Sequence, residues 1–289
     1  MMHPEKIHYV DVGARGDLTE PWSANEQDLV VYGFEADPIE HHRLDSLYLN
    51  RHYYPVALSS KRGEISLYIT EDASQSSIYP PNDNSMFEEQ HWHSRHTSKE
   101  VVIPSATLDE TLSGAYVDAI KIDTQGAEYE VLIGCRELLS HQKPFLFLET
   151  WSYPVYAGAP LMQDILQLLY PFGYELWAVE PAASWRYKIT NETIQMDGVR
   201  QRLIGLNMML VPSLDQLKLL APERVQSRVK MLRWYGFLDA AYLLAEHLDD
   251  ADLMRSIADQ VRREASLPFR VINILKRIFS RKRRYPPIT

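Results

Sequence analysis

Short apolar runs, rich in β-branched and aromatic residues, alternate along the first 212 residues with polar or helically patterned stretches. Several runs are apolar on both faces, as expected for parallel strands that helices cover. Residues 129–139 and 164–170 show helical spacing, and each stretch precedes a strand candidate, which predicts right-handed crossovers. The pattern therefore predicts an α/β fold. The predicted strands are Ile7–Val12, Leu29–Phe34, Tyr53–Leu58, Ile65–Thr70, Val117–Ile122, Phe145–Leu148, Tyr174–Val179 and Leu206–Val211.

The pattern changes after Pro212, where only helical spacing of apolar residues remains, on both sides of Gly236. We predict one domain over residues 1–212, a helical appendage over 213–265 and a basic tail over 266–289. The stretch from Glu71 to Lys99 is rich in Ser, Asn, Pro and His and lacks a period. It predicts a long loop over the sheet edge, where functional loops are common.

The composition fits a globular chain with a sizeable core: 289 residues, 45% hydrophobic and 24% charged. A single cysteine, Cys135, and no signal-like start make a cytoplasmic setting the expectation. No apolar run approaches the roughly 18 residues that span a bilayer. The net charge of -9 argues against a large nucleic-acid footprint.

The C-terminal tail differs in charge from the rest of the chain. Nine Lys or Arg residues and one acid lie between Arg262 and Thr289. After Pro268, apolar residues at helical spacing face away from several arginines, which predicts an amphipathic helix. Such a helix suits an anionic membrane surface, so a peripheral location at the inner membrane face is one expectation. Docking of the apolar stripe on the helical appendage is the alternative.

A glycine turn follows the first predicted strand, in the sequence Asp11-Val-Gly13-Ala14-Arg-Gly16. The second strand ends in Glu35-Ala36-Asp37, which places a carboxylate 22 residues after Gly13, where a ribose diol would lie. The turn lacks the G-x-G-x-x-G spacing that cradles a pyrophosphate, which disfavours NAD. An acid before the turn suits S-adenosylmethionine, whose amino group and sulfonium are cationic. The alternative is that a strand-end acid only caps the next helix.

The most specific sequence is Lys121-Ile-Asp-Thr-Gln-Gly-Ala-Glu-Tyr-Glu-Val-Leu132. Together with Asp-Val-Gly-Ala, Phe-Glu-Ala-Asp-Pro, Ala57-Leu58-Ser, Thr-Leu-Asp109 and Leu-Glu149, all in the expected order, it resembles the FkbM family of S-adenosylmethionine-dependent methyltransferases. The resemblance covers roughly residues 7 to 180.

The resemblance implies a Rossmann-like, seven-stranded methyltransferase sheet and methylation of an oxygen, often a hydroxyl of a sugar or natural product. It implies S-adenosylmethionine as cofactor and a small-molecule or glycan acceptor. Two positions depart from the family pattern: Gln125 stands where Glu is frequent, and Arg15 stands where a smaller residue is usual. The implied cofactor-binding residues are Asp11, Gly13, Ala14 and Gly16 in the turn, Glu35 and Ala36 at the ribose, Ala57 and Leu58 at the adenine, and Asp123 near the methionine moiety and the acceptor.

Three residues are candidates for the chemistry. Methyl transfer to a hydroxyl needs a proton acceptor, and Asp123 is the first candidate, with Glu149 on the next predicted strand as the second. Glu149 could instead cap a helix. His93, within the cluster His91-Trp-His93 and His96, could be the general base, or the cluster could be a substrate-contacting loop.

No metal ligands are assigned, because the histidine spacing matches no closed zinc site. Mg²⁺ held by Asp123 and Glu149 stays open. Ser74, Ser76 and Ser77 are expected either to border the cofactor cavity or to form a polar turn.

Two other functions are considered. A nicotinamide-dependent oxidoreductase on a similar sheet is disfavoured by the glycine spacing and by the lack of a Tyr-x-x-x-Lys pair near the fourth and fifth strands. A non-catalytic adaptor with a methyltransferase-like core is disfavoured by the acids at Asp11, Glu35 and Asp123. The sequence does not define the acceptor or the oligomeric state.

Overall fold

The computed structural model describes residues 6–82, 87, 93–189 and 199–266, except for the side chain of His93. The chain divides into two compact units. Among the described residues, the larger comprises residues 8–16 and 31–211, and the smaller comprises residues 6–7, 17–30 and 212–266. The predicted tail helix lies outside the described residues and stays a prediction.

Within the described residues, ten strands form two sheets. A seven-stranded sheet has the order β3-β2-β1-β7-β8-β10-β9, and a three-stranded sheet has the order β4-β6-β5. The pairs β2–β3, β1–β7 and β7–β8 are parallel, and β10 is antiparallel to β8. This mostly parallel sheet confirms the predicted α/β class and its seven strands. The strands are β1 Ile7–Val12, β2 Leu29–Phe34, β3 His52–Tyr54, β4 Ala57–Leu58, β5 Gly63–Thr70, β6 Thr97–Ala106, β7 Ala119–Ile122, β8 Phe145–Trp151, β9 Tyr174–Trp185 and β10 Arg202–Pro212.

The strand register places three residues side by side at the carboxyl edge of the large sheet. Val12 of β1 pairs with Ile122 of β7, and Ile122 pairs with Leu148 of β8. The residues that follow Val12, Ile122 and Leu148 are Gly13, Asp123 and Glu149 respectively. Ligands bind at this edge of open α/β sheets, so the register alone points to the site.

The core lies on both faces of the sheet. Val10, Val12, Ile120, Ile122 and Leu148 are all buried, as the continuous apolar runs predicted.

Helices cover the strands, and their starts follow from the local sequence. Asp37 caps α1 by accepting a hydrogen bond from the Ile39 N–H, and Pro38 occupies the first turn of this helix. The helices of this unit are α1 Pro38–Leu47, α2 Leu108–Thr111, α3 Glu128–Ile133 and α4 Met162–Leu169.

The smaller unit contains the predicted helices after Pro212. They are α5 Leu214–Leu217, α6 Pro222–Tyr235, α7 Leu238–His247 and α8 Ala251–Ala265. Gly236 ends α6 with φ +83°, a left-handed conformation that glycine adopts without strain. Within this unit Lys230 Nζ lies 2.8 Å from Asp28 Oδ2, and Trp22 packs edge-on against Trp234.

Two elements predicted from the sequence, the strand Tyr53–Leu58 and the helix over residues 129–139, were wrong in their boundaries. The predicted strand Tyr53–Leu58 is divided between β3 and β4, which belong to different sheets, because Pro55 has no N–H to continue the ladder. The predicted helix 129–139 ends at Ile133, before Gly134, and a π-helical turn follows at Leu138–Gln142. A Cβ on Gly134 would lie 2.1 Å from the carbonyl oxygen of Ser59, so glycine is required at this contact.

The loop predicted over residues 71–99 is shorter than expected. A 3₁₀ turn forms at Ala73–Gln75, and β6 begins at Thr97. In the described part of the chain, no helix combines the length and the apolar character needed to cross a bilayer.

Candidate active site

The glycine turn packs directly against the end of β7. Gly13 has φ +75°, and its N–H and that of Ala14 both donate to the carbonyl oxygen of Phe34, at 3.0 and 3.1 Å. A Cβ at position 13 would lie 2.1 Å from the carbonyl oxygen of Asp123. Position 13 therefore needs glycine for its backbone conformation and for this close approach.

Glu35 follows β2 and is buried at the same sheet edge. Its Oε1 accepts a hydrogen bond from the Asp37 N–H at 2.8 Å. Burial raises the pKa of Glu35, while the Asp37 N–H and the charge of Arg15 oppose the rise. The predicted alternative, an acid that caps the next helix, applies to Asp37 rather than to Glu35.

A cavity of about 310 Å³ opens at this edge of the large unit. Its apolar wall includes Phe34, Ala57, Leu58 and Ile103, and its polar wall includes Glu35. Gly13, Ala36, Lys121, Asp123 and Gln125 also line it, as do Ser74, Ser76 and Ser77. The serine run thus borders the cavity, which was one of its two predicted roles.

This wall fits the cofactor that the sequence resemblance implies. An apolar slot at Ala57 and Leu58 suits a purine ring, and a buried carboxylate at Glu35 suits the two hydroxyls of a ribose. The cavity also has a charged end, formed by Lys121 and Asp123, that suits an amino acid moiety.

Lys121 is a site residue that the sequence reasoning left without a role. Its Nζ lies 3.1 Å from Asp11 Oδ1 and 3.8 Å from Asp123 Oδ2. Burial lowers the pKa of Lys121, but the two carboxylates outweigh burial and raise it above its usual value. The sequence did contain a signal for Lys121. This lysine lies within an apolar strand, two residues before Asp123 and on the same face of the sheet.

Asp123 presents its carboxylate to the cavity from the end of β7. Gln125 Nε2 donates to Asp123 Oδ1 at 3.0 Å, and the other oxygen faces Lys121. The Asp123 side chain is 29% exposed, so it stays accessible while these two groups hold it in place. Asp123 thus combines a place in the cavity wall with two anchoring groups.

The loop between β7 and α3 is organised by Glu128. The Glu128 Oε1 atom accepts hydrogen bonds from Thr124 N, Thr124 Oγ1 and Gly126 N, at 3.0, 3.1 and 3.1 Å. Burial raises the pKa of Glu128 to about 7, although these donors oppose the rise. Gln125 and Gly126 have φ of +56° and +106°, so Glu128 fixes a loop whose backbone is partly left-handed.

Glu149 lies inside β8 and is paired in register with Asn207 of β10. The sequence placed it after a strand ending at Leu148, but β8 continues to Trp151, so Glu149 caps no helix. Burial raises the pKa of Glu149 to about 8, with further contributions from the charges of Asp123 and Glu128. Burial and the neighbouring acids therefore favour the protonated form of Glu149.

Arg15 extends from the glycine turn across the cavity wall. Its Nη2 lies 3.6 Å from Asp37 Oδ2, and its Nη1 donates to the carbonyl oxygen of Ala73 at 3.3 Å. This departure from the family pattern therefore connects the turn after β1 to the residues after β2 and to the 3₁₀ turn.

The structure does not bring every predicted residue to the cavity. Ala14 and Gly16 belong to the turn but do not line the cavity. Asp11 and Glu149 also lie outside the wall, and Asp11 reaches it through Lys121. The side chain of His93 lies outside the described residues, so its role stays a prediction. Within residues 6–82, 87, 93–189 and 199–266, no group of three or more His, Cys, Asp or Glu side chains could hold a metal ion.

A seven-stranded sheet of this order, with a cavity at its carboxyl edge and an acid after the second strand, defines a Rossmann-like methyltransferase fold. Residues 11–176, more than half of the chain, match the family model of the methyltransferase FkbM domain. The chain belongs to the FkbM methyltransferase family. The family implies S-adenosylmethionine as the methyl donor, as the sequence predicted.

Two solved structures are similar to this chain. One is the methyltransferase FkbM from Methylobacillus flagellatus, at 13% identity and a TM-score of 0.39, covering 70% of this chain and 43% of that one. The other is a TehB-like SAM-dependent methyltransferase from Corynebacterium glutamicum, at 13% identity and a TM-score of 0.34, covering 73% of this chain and 83% of that one. The chain thus spans less than half the length of the first. A comparison with curated proteins finds no match.

Proposed function

We propose that the protein transfers a methyl group from S-adenosylmethionine to a hydroxyl oxygen of a saccharide, glycolipid or natural product. The observation that carries this proposal is the Asp123 carboxylate, which lies in the cavity wall and is anchored by Gln125 and Lys121. An alcohol must lose its proton during methyl transfer, so a fixed carboxylate beside the donor supports an oxygen acceptor.

The proposed cofactor contacts follow from the cavity wall. Glu35 would accept hydrogen bonds from the ribose hydroxyls, and Ala57 and Leu58 would contact the adenine ring. Gly13 leaves the wall without a side chain next to the backbone of Asp123. When bound, S-adenosylmethionine supplies a methyl group on a cationic sulfur, which is open to attack by a nucleophilic oxygen.

Asp123 would orient the acceptor hydroxyl and take up its proton. Positioning contributes much of the rate when the reacting atoms are held about 3 to 3.5 Å apart and in line. Lys121 Nζ lies 3.8 Å from Asp123 Oδ2, and the Gln125 amide keeps Oδ1 in place. Both contacts leave Asp123 able to accept a proton.

Glu149 would have a different role from Asp123. Burial and the neighbouring acids raise the pKa of Glu149 to about 8, which favours the protonated form of its carboxyl group near neutral pH. A protonated carboxyl donates a hydrogen bond instead of accepting a proton. We therefore propose that Asp123 is the base and that Glu149 acts as a hydrogen-bond donor near the same site.

The acceptor class is proposed from the sequence. The family resemblance favours saccharides and natural products, and the nine basic residues from Arg262 onward favour an acceptor at an anionic membrane surface. A cytoplasmic protein that binds the inner membrane face through this tail would meet lipid-linked saccharides.

The experiment is a methyl-transfer assay with tritiated S-adenosylmethionine. Acceptors with free hydroxyls, including monosaccharides, glycolipids and polyols, would be compared with matched amino sugars, and the product linkage would be determined by mass spectrometry and NMR. Methyl ethers are expected. Methylation of nitrogen alone would reject the oxygen-directed function, and Asp123→Asn serves as the background control.

A further inference from the structure

We propose that Gln125 is a positioning residue whose side-chain amide, oriented by the Tyr156 hydroxyl, holds the Asp123 carboxylate where it accepts the proton of the acceptor. This inference rests on the proposed function, because it concerns the base of that reaction. Gln125 Nε2 donates to Asp123 Oδ1 at 3.0 Å, and the Tyr156 hydroxyl donates to Gln125 Oε1 at 2.9 Å.

The two ends of the amide make this arrangement directional. An ionised carboxylate can only accept hydrogen bonds, so the NH₂ group of Gln125 must face Asp123. The amide oxygen then needs a donor on its other side, and Tyr156 supplies one. Tyr156 is fully buried, and the carbonyl oxygen of Gln75 also lies 2.9 Å from its hydroxyl. The single hydroxyl proton is shared between this oxygen and Gln125 Oε1, so Tyr156 links the loop after β7 to the 3₁₀ turn in the cavity wall.

The backbone of the loop is shaped to direct Gln125. A φ of +56° is uncommon for a residue with a side chain and persists only when the surroundings impose it. Glu128 imposes it by accepting hydrogen bonds from the N–H groups of Thr124 and Gly126, which flank Gln125. The conformation brings the amide of Gln125 between Asp123 and Tyr156.

The charges around Asp123 explain why an amide is suited to this position. Lys121 on the same strand is the cation beside Asp123, and Asp11 on β1 shares it. Glu128 on α3 and Glu149 on β8 add acidic groups whose pKa values Asp123 raises further. Another carboxylate at position 125 would add a like charge about 3 Å from Asp123. Glutamine supplies a hydrogen-bond donor there without adding charge.

The first test measures hydrogen exchange of the Gln125 side-chain amide by NMR in the full chain, with the signal assigned from its loss in Gln125→Asn. In the wild type we expect slow exchange and a chemical shift that changes in Asp123→Asn. Tyr156→Phe should raise the exchange rate about tenfold or more. The matched control is Tyr174→Phe, which removes a buried hydroxyl bonded to the carbonyl oxygen of Pro144 and should leave the signal unchanged.

The second test measures kcat against pH for transfer to the hydroxyl acceptor found with the wild type. Gln125→Glu should move the acidic limb upward by about one pH unit or more, because two adjacent carboxyl groups retain a proton. Tyr156→Phe should lower kcat about tenfold with little change in KM. This pH shift reports that the side chain at position 125 lies against the group that accepts the proton.

The outcomes separate the two proposals. If the protein methylates hydroxyls but the Gln125 side-chain amide exchanges equally fast in the wild type and in Tyr156→Phe, the positioning role is overturned and the proposed function stands. An unshifted pH profile in folded Gln125→Glu also overturns the positioning role. The opposite result is also possible to recognise. If the Gln125 amide is protected only when Tyr156 is present, and the protein binds S-adenosylhomocysteine but methylates only nitrogen, then the proposed function is overturned and the hydrogen-bond network stands.

Discussion

Lys121 Nζ lies 3.1 Å from Asp11 Oδ1, and the two residues are register partners on the adjacent parallel strands β1 and β7. Side chains of paired residues in parallel strands point to the same face of the sheet. The acid that precedes the glycine turn is therefore compensated by a lysine of the protein. Lys121 therefore already pairs with the Asp11 carboxylate in the ligand-free protein.

Replacing this lysine should cost stability. Lys121→Met would leave the largely buried carboxylates of Asp11 and Asp123 without their cation, and we predict a loss of about 3 kcal/mol in the free energy of unfolding. Urea denaturation would measure it. The double variant Lys121→Met/Asp11→Asn should recover part of the loss, since it removes one of the uncompensated charges. Equal stabilities of wild type and Lys121→Met would contradict this interpretation.

The carboxyl edge of the sheet could be predicted from sequence because it depends on strand ends. Runs of apolar residues predicted β1, β2 and β7, and parallel strands bring their carboxyl ends together. That reasoning identified Glu35 and Asp123, which both line the cavity. The same reasoning placed Glu149 just after the end of a strand, but β8 continues for three residues beyond the predicted end at Leu148.

The contacts between side chains could not be predicted from sequence. The pairing of Lys121 with Asp11 depends on the register of β1 and β7, which apolar patterns alone do not specify. Tyr156 is 31 residues from Gln125, in a segment without a periodic pattern, and its approach depends on tertiary packing among aromatic residues. The division of β3 from β4 had a local signal, Pro55, within an otherwise strand-like run.

Asp123→Asn should separate binding from turnover. The amide preserves the shape of the side chain but cannot accept the proton, so we predict a fall in turnover of about 10²-fold or more. Calorimetry should show that the variant still binds S-adenosylhomocysteine. Full activity of the folded variant with a hydroxyl acceptor would remove Asp123 from the mechanism.

Glu149 should make stability depend on pH. Its pKa of about 8 in the folded protein exceeds the ordinary value of 4.5, so the folded state keeps a proton that the unfolded chain has lost. The contribution of Glu149 to stability is therefore lost as the pH rises from about 4.5 towards about 8.

Glu149→Gln should remove this dependence. Relative to wild type, the free energy of unfolding of the variant is expected to rise between pH 5 and pH 8, by an amount on the order of a few kcal/mol at roughly 1.4 kcal/mol per pKa unit. The matched control is Glu137→Gln, whose side chain is 78% exposed and which should show no such gain. Parallel pH dependences of wild type and Glu149→Gln would refute the assignment.

The basic tail should bind anionic membranes. Each basic residue near an anionic leaflet contributes about 1 kcal/mol, so the full chain should float with anionic liposomes at low salt and be released at high salt. A version ending at Ser266 should not float. Equal flotation of the two versions, or no flotation of the full chain with anionic lipid at low salt, would reject the membrane role and favour docking of the tail on the protein.

The central claim is that the cavity beside Glu35 and Asp123 binds S-adenosylmethionine, and calorimetric titration with S-adenosylhomocysteine tests it most directly. We predict one site in the wild type and an affinity about tenfold to a hundredfold lower in Glu35→Ala, because a charge-assisted hydrogen bond to the ribose is lost. Glu40→Gln on α1, whose carboxylate pairs with Arg43, should bind like the wild type. Binding of NAD without binding of S-adenosylhomocysteine, or equal affinity in folded Glu35→Ala, would contradict the account.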